Sequence, residues 1–172
     1  MVRAGNADPT IFLIDFGLAR QFRDPATYLH TSFTTRHFIV GTLPFMSVNG
    51  QLGYAQSRRD DLESLAYTII YLACGDLPWG THPACKDHNT VLEKKKLITV
   101  EELCKGLPPL FSEFIAHIRS LSFNKKPDYD HLHTILLQCS AAETDQKSKA
   151  LPAPPSLGAN GTPSLSIISD RV

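Results

Sequence analysis

Residues 57–75 spell out a helix that has to sit at the centre of a core. Ser57-Arg58-Arg59-Asp60 sets a hydroxyl three residues ahead of a carboxylate, the spacing that satisfies free amide donors at a helix start. Leu62, Leu65, Ala66, Ile69, Ile70 and Leu72 then recur at helical spacing as far as Gly75. A stripe that wide implies burial on most sides. Three further segments read as helices that could cover it. Thr99-Val100-Glu101-Glu102 is a second capping signal, for a short helix stopped at Gly106. After Pro108-Pro109, one face carries Leu110, Phe111, Phe114, Ile115, Ile118 and Leu121. A last helix starts near Pro127, suited to a first helical turn, and aligns Tyr129, Leu132, Ile135, Leu136 and Cys139. Thr10–Phe16 reads as a short buried strand ending at Gly17, and residues 21–56 read as a long loop, of the kind that is usually functional. The expected fold is mainly α, with one small strand region.

Composition sets the outer limits. Hydrophobic residues make up 42% and charged residues 20% of 172, so most of the chain can bury a core. From Ala141 the apolar period gives way to Ala, Ser, Pro and Gly, and 141–172 reads as a disordered tail. The expected division is a flexible 1–9, a folded 10–140 and that tail. Seventeen basic and seventeen acidic side chains balance, which gives no electrostatic case for nucleic acid or an anionic membrane as partner. The uncharged stretch around Leu65–Gly75 is too short to cross a bilayer of roughly 30 Å, and the N-terminus has no secretory h-region. Cys74, Cys85, Cys104 and Cys139 lie far apart, which favours buried reduced thiols in a cytoplasmic or nuclear protein. The sequon Asn160-Gly161-Thr162 is silent in such a compartment.

Short motifs in a fixed order add chemistry. Leu13-Ile14-Asp15-Phe16-Gly17-Leu18-Ala19 is followed by Arg23-Asp24-Pro25, Gly41-Thr42 and Ser57-Arg58-Arg59-Asp60-Asp61-Leu62-Glu63-Ser64. Leu77-Pro78-Trp79, Glu93-Lys94-Lys95, Cys104-Lys105-Gly106 and Lys126-Pro127-Asp128-Tyr129 come after. In that order they resemble the C-terminal lobe of the casein kinase 1 family of Ser/Thr protein kinases, over about residues 10–138. The fold implied is an incomplete kinase-like C-lobe with a short β-strand near Asp-Phe-Gly. The resemblance implies ATP and Mg2+ as cofactors and a protein as substrate or partner; no oligomer is implied. It makes Asp15, within Asp15-Phe16-Gly17, the carboxylate that would coordinate magnesium on the ATP phosphates. Without the flanking motifs Asp15 is a strand-end aspartate in a turn. Thr42 matches the substrate-loop threonine that contacts the catalytic aspartate. Arg20 matches a basic position facing acidic or phosphorylated substrates, an ordinary exposed arginine being its competing reading. Asp61 matches a buried aspartate that accepts from the catalytic-loop backbone. Arg119 matches a structural arginine, with Asn49 where many kinases have its acidic partner.

Several parts of such an enzyme do not occur in the 172 residues. There is no Gly-x-Gly-x-x-Gly and no His-Arg-Asp, and the 14 residues before Asp15 supply neither a strand lysine nor a general base. Phosphoryl transfer depends on these parts acting as a unit, so the expectation is a truncated kinase domain, inactive alone. The alternative is a pseudokinase-like protein-interaction module. Pro44 also stands where the family has an arginine that grips a primed phosphate. His82, Cys85 and His88 could form a metal clip, against a solvated loop as the simpler reading. Lys94-Lys95-Lys96 and Lys125-Lys126 read as surface lysines, with a nuclear import signal as the alternative. The wide stripe of the central helix further predicts an exposed apolar patch, on that helix or beside Thr10–Phe16.

Overall fold

The computed structural model describes residues 12–35, 38–82 and 87–150, with the side chains of 143–150 left aside. Six helices occur among them: α1 (Val48–Gln51), α2 (Arg58–Cys74), α3 (His88–Leu97), α4 (Val100–Leu103), α5 (Phe111–Ser120) and α6 (Tyr129–Ala150). The molecule is mainly helical, as its periodicity requires.

The long helices form where the local signals stand. At the start of α2, Asp60 Oδ2 accepts the Ser57 N–H at 2.8 Å, the carboxylate half of a capping box. At its end Gly75 turns with φ 84°, and its N–H donates to Tyr71 O at 2.8 Å. Thr99 and Glu102 cap α4 reciprocally. Asp128 caps α6, its Oδ1 accepting the His131 N–H at 3.0 Å, with buried Pro127 just ahead. α5 packs between α2 and α6, and α4 packs on α5. The core so formed contains Ala66, Tyr67 and Ile70 of α2, Phe111, Phe114, Ile115 and Ile118 of α5, and Leu132, Ile135 and Cys139 of α6. Trp79 and Leu77 close it from the loop after α2, and Tyr67 meets Trp79 edge-on at 4.8 Å.

Several expectations are corrected. Residues 12–15 form no strand and Thr10 lies outside the described residues; instead, Phe16–Leu18 is a single 3₁₀ turn. A strand exists only through a neighbour's ladder, and the one β-bridge among the described residues joins Arg23 to His30. The expected loop 21–56 holds α1 and a 3₁₀ turn at Leu43–Phe45. Ser47 caps α1, its Oγ accepting the Gly50 N–H at 3.0 Å. Helix α3, capped by Asp87, had no predicted counterpart. α6 runs through Ala141 to Ala150, because Ala-Ala-Glu and the Gln and Lys after it are good helix formers; 151–172 lie outside the described residues. Cys74 is exposed, whereas Cys104 and Cys139 are buried; Cys85 is outside the described residues. That last omission leaves the His82–Cys85–His88 clip undescribed as a set.

The expected apolar patch is present. Leu65 and Leu72 of α2 stand exposed, together with Leu13, Ile14, Phe16 and Leu18. The segment after them is held by aromatic contacts and by a few hydrogen bonds, among them Ala55 N–H to Thr34 O at 2.8 Å. Phe22, His30, Phe33 and Tyr54 gather around Phe123, and the Arg58 guanidinium lies 4.5 Å from the Phe22 ring centre. No helix among the described residues is long and apolar enough to cross a membrane.

Candidate functional site

Asp15 sits at the head of the 3₁₀ turn with φ 62° and ψ 76°, a left-handed conformation that costs a non-glycine residue about 1–2 kcal/mol. Its Oδ1 accepts the Gly17 N–H at 3.3 Å, and a Cβ on Gly17 would lie 3.3 Å from that same oxygen. Asp15, Phe16, Gly17 and Arg20 are all exposed. Magnesium demands near-octahedral oxygen ligation. Among the described residues no group of three His, Cys, Asp or Glu could hold a metal, and Asp15 spends an oxygen on its own turn. Asp15 would supply one carboxylate to a magnesium–nucleotide site, with other positions falling to phosphate and water.

Thr42 belongs to a different surface. Its carbonyl accepts the N–H groups of Phe45 and Met46 at 2.9 and 3.2 Å, starting the 3₁₀ turn in which Pro44 is accommodated near the first position. With Phe45, Met46, Thr68, Tyr71 and Leu72 it lines a cavity of about 530 Å³ against α2. Neither Asp15 nor Arg20 is in that lining. Thr42 is set on a mostly apolar hollow.

The carboxylates at the head of α2 are reversed from expectation. Asp61 is exposed; its neighbour Asp60 is the fully buried one. Asp60 Oδ1 accepts from Ser47 Oγ at 3.0 Å and Asn49 Nδ2 at 3.2 Å, while Arg59 Nε lies 3.6 Å from Oδ2. Asp60 therefore ties the start of α1 to the start of α2. One step along a helix turns a side chain by about 100°, so two adjacent aspartates cannot both face the core. Although exposed overall, the Asp61 carboxyl is pushed up by the partial desolvation of its position on α2 and by the Asp60 charge.

Arg119 Nη1 donates to Ile98 O at 3.2 Å, fastening α5 to the end of α3. It shares a cleft of about 310 Å³ with Asn49, Arg59, Glu63, Lys95 and Lys96. Asn49 lines the same cleft, with its Nδ2 turned to Asp60. Glu63 accepts from the Tyr67 hydroxyl at 2.6 Å and the Val48 N–H at 3.1 Å. Burial raises its pKa above the ordinary range, against those two hydrogen bonds.

Lys95, expected on the surface as part of a lysine run, is instead 1% exposed. Its Nζ donates to Leu43 O at 2.8 Å, Met46 O at 2.7 Å and Gln51 Oε1 at 3.1 Å. It also lies 5.3 Å from the ring centres of both Tyr67 and Trp79. The Trp79 indole N–H donates to Pro44 O at 2.9 Å. Loop 42–51 is thereby pinned from two sides. The only local signal was the period: Val91, Leu92 and Lys95 share one face of α3, and all three are buried.

No family model matches the chain. Among curated proteins it is 41% identical over 128 residues to casein kinase I homolog 2 of Schizosaccharomyces pombe. It is 38% identical over 128 residues to casein kinase I homolog 3 of the same yeast. Each alignment covers 73% of this chain, and the chain spans 29% of the length of each relative. The ordered motifs, the mainly helical architecture and this identity agree in relating the chain to the casein kinase 1 family, as a fragment matching its C-terminal lobe motifs over these 128 residues.

Proposed function

We propose that these residues form the substrate-facing floor of a casein kinase 1-type Ser/Thr protein kinase, and that the 172-residue polypeptide does not transfer phosphate unaided. The observation that carries the second half is the solitary Asp15, exposed and bonded to its own turn. A kinase needs this carboxylate, a phosphate-holding lysine and a catalytic-loop base in one constellation, and such groups act as a unit. Thr42 and Arg20 are the residues that would face a protein substrate, with Arg119 and the buried Asp60 supporting the lobe. Pro44 offers neither charge nor N–H, so a phosphate-primed substrate is disfavoured. The cytoplasm or nucleus, where protein substrates and ATP occur, is the compartment proposed.

The exposed apolar side chains of α2 and residues 12–18 favour a second reading, a non-catalytic module that binds another polypeptide. One experiment addresses both. The purified chain is incubated with Mg2+, radiolabelled ATP and casein, alone and with a separately produced casein kinase 1 segment carrying the Gly-rich loop and His-Arg-Asp. No incorporation alone and restored incorporation in the mixture support the kinase-floor reading. Binding without incorporation supports the interaction module, and incorporation by the chain alone overturns the inactive reading.

A further inference from the structure

Loop 42–51 carries Thr42 and exposes backbone carbonyls that no β-ladder satisfies; buried carbonyls of that kind require donors from elsewhere. Three of them, Leu43 O, Pro44 O and Met46 O, are reached by the side chains of Lys95 and Trp79. The same ammonium takes Gln51 Oε1 at the far end of the loop, so one group spans it from 43 to 51.

We propose that Lys95 is the positioning residue of the Thr42 loop, a proton-dependent latch: the ammonium holds three loop oxygens, and loss of its proton frees one of them. The functional meaning of this latch rests on the reading of Thr42 as substrate-facing; the latch itself does not. An ammonium has three N–H donors and no lone pair, whereas the neutral amine has two donors and a lone pair. With three oxygens at 2.7–3.1 Å, deprotonation leaves one acceptor facing that lone pair in a site closed to water. Release therefore opens one end of the loop first.

The surroundings keep the proton in play. Burial pushes the Lys95 ammonium down to about 8, and the Glu63 carboxylate opposes this. From α2 the groups around it are Glu63, Tyr67, Asp60 and Arg59, and from α5 Arg119; Lys96 shares the cleft from α3. Tyr67 is held far above its ordinary value, chiefly by burial, and stays neutral where Lys95 titrates. α1 contributes the uncharged Asn49 and Gln51, and loop residues 42–47 contain no titratable side chain.

Trp79 is the one tryptophan in the chain and touches both the latch and the loop, so it serves as the reporter. The full chain is titrated from neutral to alkaline pH while Trp79 emission is followed. Amide exchange of Phe45 and Met46, corrected for intrinsic base catalysis, is read in parallel. The expected result is an emission transition near pH 8 and roughly tenfold faster corrected exchange above it, the scale of one lost hydrogen bond to a charged donor. Lys95→Arg, charged throughout, should abolish the transition. Glu63→Gln leaves Lys95 in place and should move the midpoint to lower pH, which keeps the test open if Lys95 variants do not fold. A transition that persists unchanged in Lys95→Arg, or that ignores Glu63→Gln, overturns the latch. Because no phosphorylation is read, failure of the kinase reading leaves this result intact.

Discussion

Between Tyr67 and Cys139 the largest rings are enclosed: Trp79, Phe111 and Phe114 are each at most 2% exposed. Between Phe12 and Ile39 the same residue types face outward, Phe16 at 65% and Leu18 at 70%. The first region is held by three helices that bury one another's faces. The second follows the core's edge, fixed by the Asp24 turn and by rings around Phe123. Yet the second region carries the Asp-Phe-Gly turn, on which the chemical reading depends. Stability and motif content are therefore separated along this chain. The helical region is packed on its own contacts, and the motif region leaves apolar surface exposed.

Paired substitutions put that contrast at risk. Phe114→Ala should lower unfolding free energy by about 3–5 kcal/mol in urea denaturation, the usual range for a buried aromatic. Phe16→Ala should change it by no more than about 0.5 kcal/mol, and a large loss there would mean that the motif segment is packed after all. Among the carboxylates, Asp60→Asn should cost about 1–3 kcal/mol, since a buried acceptor of three hydrogen bonds is partly unsatisfied. Asp15→Asn should leave stability unchanged, asparagine tolerating the same left-handed conformation. Equal effects at the two positions would dissolve the distinction.

The next effect depends on pH. Lys95 titrates near 8 in the folded chain and near 10.5 when unfolded, so between those values the unfolded state binds more protons. Stability should then rise with pH across that window, by at most about 1.4 kcal/mol per pH unit, and the rise should vanish in Lys95→Met. Thermal melts along a pH series measure it. Tightening of the whole fold while the Thr42 loop loosens is the signature that separates this latch from a general alkaline unfolding. Gly75→Ala should cost about 1 kcal/mol through the backbone alone, because φ is 84° there and no atom lies within 4 Å of the added Cβ.

Local physics made much of the molecule readable in advance. The caps at Asp60 and Thr99, the stop at Gly75 and the buried faces of α5 and α6 each need only residues within a few positions of one another. The motif order was equally legible, and it carried the family. What the sequence could not reveal was anything that waits on a distant partner. Thr10–Phe16 is apolar enough for a strand, but residues 12–15 gain no ladder. Asp60 and Asp61 are chemically identical neighbours, and only the approach of Ser47 and Asn49 decides which is buried. Lys95 stands in a run of three lysines, and only the fold brings Leu43, Met46 and Gln51 around its ammonium. Caps and periodicity are written in neighbouring residues, whereas burial of a charge depends on which far-off acceptors the packed helices deliver to it.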